Sequence, residues 1–487
     1  MKSGADILLL LGLLGLFGWL YTGAVTPAPY GYDEADYMYA ASLGWRANYT
    51  DRPTLPFTDF LRAGLDRGTQ SGQRASLSEL VRNNDDIVFY RHWHGPLLAY
   101  WLMAISGRSF DEFGVRSAMI AFHILTFLII YLGCRWILPG AVGRLAAVFC
   151  SAFYLFAFSN IKAACELSPH PIFVLSYVTS LFCFAKMAAS ADLRWRYAAA
   201  VSTAVAFCSL EITLALLAAL PVCCFLFRRE LFAGWTRSQW LRFAAGPTAV
   251  FAGAVLLLWP GAWWRLSFLK AYFFMAYLAV ARKAAWGTSL TVLDTWRLRF
   301  TNSPVEWVLI AAALFFFIRS RKRRREGRLA VPFLVYGCFM LLLVARVNAD
   351  APRYLSPFLP ALQVFAGIIL SLELSRLRVL ARVLLTAGLG VALLWNSHRQ
   401  FLAHPWNSAP IEASILACLK QQDLRGKSIL VPWLYVPTVH YYFPGVHIQR
   451  YDEESNLPGA IRGGAFAGVL YVGPVRFRSL TPPDNVN

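Results

Sequence analysis

Two adjacent carboxylates, Asp33 and Glu34, stand in the run Gly31-Tyr32-Asp33-Glu34-Ala35-Asp36-Tyr37, a few residues beyond an apolar N-terminal segment. A carboxylate can act as a general base toward a hydroxyl. Ionisable groups this close to hydrocarbon are costly to hold and usually face a cavity, although an isolated Asp-Glu pair also reads as a solvated turn. Other groups able to do chemistry are scattered along the chain: His92 and His94, Lys162 and Glu166, Arg346, and Arg353 followed by Tyr354. Arg353 is the first choice for a phosphate because its planar fork binds two oxygens at once, and Arg346 and Lys162 come second. Taken alone, Arg353 reads as an interfacial anchor. The His92-x-His94 spacing suits a divalent metal ion only in extended backbone, where alternate side chains share a face. A phosphate contact by His94 and a plain interfacial histidine stay open beside it. Glu166 either positions an acceptor or pairs with Lys162 one helical turn away.

The elements that must position these groups follow from composition. The chain has 487 residues, 57% hydrophobic and only 15% charged, with 17 Trp, 21 Tyr and 36 Phe. A soluble domain carries roughly 25% charged residues, so the chain is expected to be a polytopic α-helical membrane protein. Runs long enough to cross the hydrocarbon core fall near 7–25, 115–137, 145–161, 170–188, 197–209, 212–227, 243–260, 304–318, 329–345, 355–374 and 379–396, about eleven spans. The first resembles a signal core but lacks a clean cleavage site and reads as an uncleaved span. The pair around Glu211 is short and could form one bent or re-entrant element. His123, His170 and Glu211, inside or at the ends of spans, read as core or packing groups.

Short-loop charge sets orientation. With the N-terminus cytoplasmic, one side collects Arg135, Arg144, Lys186, Arg228, Arg229 and the run Arg319-Ser-Arg-Lys-Arg-Arg-Arg325, and the short outer connections hold only Lys162, Arg346 and Arg353. This asymmetry accounts for the net charge of +19. Between two spans, a basic run is a topology anchor on the anionic leaflet, and no nucleic-acid partner is expected. The nine cysteines lie mostly in or beside apolar runs, without a Cys-x-x-Cys pair, and read as small buried hydrophobes.

Residues 1–396 are expected to form the transmembrane module, with extracytoplasmic loops at 26–114 and 261–303. The first loop has a polar, partly irregular middle from Asp51 to Asp86, and the second, Arg265 to Arg299, has the composition of an interfacial helix. Residues 397–487 change texture. An amphipathic run through Leu419, then short apolar segments at 427–433, 445–448 and 468–472, predict a small extracytoplasmic α/β domain. It has no glycine-rich phosphate loop, so no catalytic role is expected of it, and no internal repeat suggests transporter symmetry.

Four segments carry a resemblance: Tyr32-Asp33-Glu34-Ala35-Asp36-Tyr37 after the first span, His94-Gly95-Pro96-Leu97-Leu98-Ala99-Tyr100 before the second, Glu166-Leu167-Ser168-Pro169 after the third, and Arg353-Tyr354-x-x-Pro357-x-x-Pro360 opening a late span. In this order and on one side of the membrane they resemble the GT-C superfamily. Within it the chain is most similar to bacterial relatives of protein O-mannosyltransferases and lipid A aminoarabinose transferases. Gly95 stands where many members have proline, and Glu166 replaces a more usual aspartate. The resemblance implies transfer of a sugar from a polyprenyl-phosphate carrier to an envelope glycan, lipid or protein acceptor on the outer side of the cytoplasmic membrane. In that scheme Asp33 is the base of an inverting displacement and Glu34 orients the acceptor or tunes Asp33, since adjacent side chains of an extended segment point apart. Arg353, Arg346, Lys162 and His94 would hold the phosphate, and Tyr32, Tyr37, Glu166 and Tyr354 would contact sugar or acceptor. The one cofactor suggested is a divalent ion that His92 and His94 could hold. The acids and Arg353 are expected to meet in one outward-facing pocket. The rival readings are a transporter or flippase for a lipid-linked precursor, because intramembrane charges also mark ion pathways, and a scaffold subunit, which would need no adjacent acids.

Overall fold

The computed structural model describes residues 4–21, 24–42, 95–106, 111–259, 291–319, 325–344, 354–403, 410–451, 454, 457–462 and 465–480. The polar middle of the first loop, most of the second loop, His92, His94, Arg346 and Arg353 lie outside the described residues.

Each apolar run contains a helix. Among the described residues five are long and apolar enough to cross a membrane, Glu112–Ile137, His170–Ser190, Ser238–Leu258, Glu326–Val344 and Val379–Leu402, or up to seven if two bent pairs each count as one span. The bent pairs are Gly140–Leu155 with Phe158–Cys165, at 57°, and Leu293–Asn302 with Pro304–Arg319, at 93°. Asp6–Leu20, Glu211–Leu226 and Leu359–Leu374 are shorter apolar helices. This is the build of a multi-pass membrane protein, in which helices satisfy their own backbone groups because hydrocarbon offers no partners. Around Glu211 the chain makes a single 3-10 turn, Glu211–Thr213, between the helices Trp195–Phe207 and Leu214–Leu226.

The chain divides into two compact units. The first comprises residues 1–24, 48–98 and 118–405. At its centre runs Leu359–Leu374, buried along almost its whole length and packed by Gly140–Leu155, Pro304–Arg319 and Val331–Val344. Gly367 permits a close approach to Gly140–Leu155, since a Cβ there would lie 2.4 Å from Cys150 Sγ. Polar side chains link helices across the interior: Asn160 Nδ2 donates to Gln363 Oε1 at 2.8 Å, and the Ser180 and Thr203 hydroxyls pair at 2.8 Å. Such bonds hold helices together where hydrophobicity cannot discriminate helix from lipid.

The second unit comprises residues 25–47, 99–117 and 406–487. Among the described residues its strands are β1 (Ser428–Pro432), β2 (His447–Tyr451), β3 (Gly468–Val472) and β4 (Val475–Ser479), in the order β2-β1-β3-β4. β1 pairs in parallel with β2 and β3, and β4 runs antiparallel to β3. Alternation along β1 sends Ile429 and Val431 into a core with Ile415, Leu419, Val439 and Leu470, and Leu430 to the opposite face with Tyr451, Leu457 and Val469. This is the small α/β fold expected after residue 410, with one additional edge strand. The helix Val436–Tyr442 packs on the helix Tyr32–Ser42, which carries the two acids.

Candidate active site

The segment bearing Asp33 and Glu34 is helical, not extended: Tyr32–Ser42 is an α-helix, closed at its start by Ala35 N–H to Gly31 O at 2.8 Å. Both acids occupy its first turn, where the helix dipole favours negative charge. Neighbouring side chains still diverge, by the roughly 100° per residue of a helix. Their surroundings separate them further. Arg116, near the start of Glu112–Ile137, clamps Glu34 with both prongs, Nε to Oε1 at 3.0 Å and Nη2 to Oε2 at 2.5 Å. The same guanidinium donates to Thr26 O at 2.8 Å and Ala28 O at 2.7 Å and lies 5.1 Å from the Tyr30 ring centroid. The Arg116 side chain is 4% exposed and that of Glu34 18%. Glu34 therefore anchors the helix start, and Asp33 is half-buried beside it. Tyr37 is buried in the same helix, and the side chain of Tyr32 lies outside the described residues.

A second set of contacts holds the residues before the helix. Tyr442 Oη accepts the Tyr30 N–H at 2.9 Å and donates to Glu112 Oε1 at 2.8 Å. Burial holds the phenols of Tyr30 and Tyr442 far above their usual range, so both stay protonated and the Tyr442 hydroxyl has a proton to donate.

The remaining candidates lie in the first unit. Lys162 belongs to the helix Phe158–Cys165, with Nζ 5.9 Å from the Phe158 ring, and Glu166 leaves that helix in extended backbone. The helix ends just before Glu166. His170 opens the next helix and is a buried, hydrogen-bonded core group that meets the late motif: Nδ1 is 3.0 Å from Ser356 Oγ, and its ring stands edge-on to Tyr354 at 6.4 Å. Tyr177 Oη donates to Ser356 O at 3.2 Å. Tyr154, Asn160, His170, Ser356 and Pro360 line a small cavity there. The Glu166-to-Pro169 and Tyr354-to-Pro360 segments, far apart in sequence, are thus linked through His170. The expected meeting of Asp33 with Arg353 falls on a residue outside the described set.

Arg116, Tyr442 and Arg299 were not anticipated. Arg299 is 3% exposed, its guanidinium lies 4.8 Å from the Trp296 ring, and that ring stands 6.5 Å from Phe358 of the late motif. The i, i+3 spacing of Trp296 and Arg299 carried that signal, as did a lone arginine early in an apolar span for Arg116. Among the described residues no group of three or more His, Cys, Asp and Glu is placed to hold a metal ion, and the His92/His94 pair is not among them.

The fold matches solved membrane enzymes. ArnT from Cupriavidus metallidurans bound to undecaprenyl phosphate aligns with a TM-score of 0.57 at 14% identity, covering 95% of this chain and 88% of that one. The apo state of ArnT aligns with a TM-score of 0.59 at 15% identity, over 94% and 88%. The archaeal oligosaccharyltransferase AglB from Archaeoglobus fulgidus, in complex with an inhibitory peptide and a dolichol-phosphate, gives 0.55 at 12% identity over 90% of this chain, which spans 64% of AglB. No family model matches the chain, and no curated protein matches it. The chain therefore shares the fold of these enzymes, in line with the resemblance that its four motifs carry.

Proposed function

We propose that the chain is a polyprenyl-phosphate-dependent glycosyltransferase working at the outer face of the cytoplasmic membrane, with its N-terminus cytoplasmic and its C-terminal domain extracytoplasmic. The observation that carries this reading is that the fold of an undecaprenyl-phosphate-bound enzyme runs through 95% of the chain. Asp33 takes the proton of the acceptor hydroxyl as that oxygen attacks the anomeric carbon. The bond from this carbon to the phosphate oxygen breaks, the electron pair leaves with the polyprenyl phosphate, and the anomeric centre inverts. The proton then passes from the Asp33 carboxyl to water. Cations stabilise the departing phosphate: Arg353, Arg346 and Lys162, and with them Arg299, which is buried against Trp296 beside the Tyr354 motif. His94 contributes a hydrogen bond to the phosphate, and Tyr32, Tyr37, Glu166 and Tyr354 contact sugar or acceptor. The acceptor is an envelope glycan, lipid or protein, and the sugar a hexose or pentose.

The test uses the full-length chain in lipid nanodiscs, undecaprenyl-phosphate-linked radiolabelled mannose, galactose, glucose and aminoarabinose, and envelope material from a strain lacking the chain. Wild type is expected to move label from one of these lipids to the envelope fraction, with transfer by Asp33→Asn slower by about 10²–10⁴-fold. Transport of intact lipid without cleavage, or an Asp33→Asn variant of wild-type rate, refutes the assignment.

A further inference from the structure

We propose that the C-terminal α/β domain is a positioning part of the catalytic machinery, and that the Tyr442 hydroxyl, through the backbone of Tyr30, sets the placement of Asp33. This rests on the reading of Asp33 as the base. No catalytic role was expected of this domain from its sequence, yet the acid helix belongs to the same compact unit as residues 406–487.

The contacts form a closed circuit. Tyr442 ends the helix Val436–Tyr442 and accepts the N–H of Tyr30, two residues before the acid helix begins. Thr438, one turn earlier on the same helix, donates to Tyr30 O at 3.4 Å, so both backbone polar groups of Tyr30 are held from the C-terminal domain. The Tyr30 ring stacks on Tyr442 and stands edge-on to Tyr441. From Tyr442 the circuit continues to Glu112, along one helical turn to Arg116, and back to Glu34. Farther along the acid helix, His440 lies against Tyr39 with ring centroids 4.4 Å apart. Asp33 thus sits between two residues whose positions are fixed from different directions, Tyr30 by the C-terminal helix and Glu34 by Arg116.

A general base is effective only within hydrogen-bond reach of its proton, and a displacement near 1 Å can cost on the order of 10²-fold in rate. Tyr442→Phe removes one oxygen and leaves the ring stacking intact, so it loosens the circuit without opening a cavity. The expected result in full-length chain in nanodiscs is a kcat at least tenfold lower, with KM for the undecaprenyl-phosphate sugar within twofold of wild type. Hydrogen exchange at the amides of residues 30–37 is expected to be faster by a similar factor. Loss of packing alone would instead lower the thermal midpoint and change KM and kcat together. Thr438→Val is expected to act in the same direction, more weakly. A Tyr442→Phe enzyme with wild-type kcat overturns the proposal, and so does one whose exchange at residues 30–37 is unchanged. Asp33→Asn separates the two claims: wild-type turnover there removes the base assignment, while the exchange measurement, which needs no turnover, still decides whether Tyr442 anchors the acid segment.

Discussion

The Arg116–Glu34 clamp gives the sharpest physical prediction. Arg116→Ala leaves a carboxylate that is 18% exposed without its fork and frees the carbonyls of Thr26 and Ala28 from their shared donor. Breaking a buried ion pair from one side costs about 3–5 kcal/mol, because the surviving charge stays behind in a poor solvent. Taking about 4 kcal/mol, the equilibrium between docked and released acid segment shifts by roughly 10³-fold at 1.4 kcal/mol per decade. Hydrogen exchange of the amides at 30–37, measured by mass spectrometry on the full chain in nanodiscs, should accelerate by that order. Arg116→Lys keeps the charge but loses the two-pronged geometry and is expected to fall between wild type and alanine. Glu34→Gln should resemble the alanine variant, since it strands the guanidinium instead. Replacing both partners, Arg116→Met with Glu34→Leu, should cost less than either single change. An Arg116→Ala protein whose exchange rises less than about fivefold, corresponding to roughly 1 kcal/mol, would mean that the pair is worth no more than an exposed surface bridge and that the anchoring argument is wrong.

Exchanging the acids, Asp33→Glu with Glu34→Asp, preserves charge and composition but withdraws the anchor and advances the base by about one C–C bond, roughly 1.5 Å. Transfer activity is expected to fall at least tenfold, and full activity would show that charge alone suffices. Arg299→Ala should weaken binding of undecaprenyl phosphate by about 10–100-fold, the loss of one charge-assisted hydrogen bond of about 1.5–3 kcal/mol, with thermal stability nearly retained; scintillation proximity binding reads this directly. Gly95→Ala should destabilise the transmembrane unit by about 1–3 kcal/mol or more, seen as a lower thermal midpoint, because its Cβ would stand 1.8 Å from the carbonyl oxygen of Cys208. An unchanged midpoint would show that Gly95 and Cys208 are not in contact.

The close approach at Gly95 also explains a departure visible in sequence: a side chain cannot stand where the chain passes directly over the end of the helix Trp195–Phe207. The membrane helices were legible because lipid leaves a chain few alternatives, so an apolar run of sufficient length is nearly a structural statement. The buried strands β1 and β3 were legible for a related reason, as short apolar segments bounded by turns. β4 was not. Its residues Val475-Arg476-Phe477-Arg478-Ser479 alternate charge with hydrophobe, as an exposed edge strand does to discourage further pairing, and read locally as a polar tail. In sequence the acid segment reads as extended, because eleven residues between loops carry little periodicity. Its two first-turn acids and the alanines at 35, 40 and 41 are nevertheless what a short helix start requires.

The candidate site divides along the same line. Which residue types could do the chemistry is a local property, and Asp33, Glu34 and Tyr354 could be picked out by type and spacing. Which partners hold Glu34 is decided by residues that sequence proximity does not reveal. Arg116 lies 82 positions from Glu34, and Tyr442 lies 412 from Tyr30. Two adjacent carboxylates are chemically almost equivalent; one turn of helix and one buried guanidinium make them different. Glu34, held by two bonds from Arg116 and with its side chain 18% exposed, would have to give up its ion pair before it could accept a proton from a substrate. That cost of several kcal/mol would be charged against every turnover, and it weighs against Glu34 as the group that takes the proton.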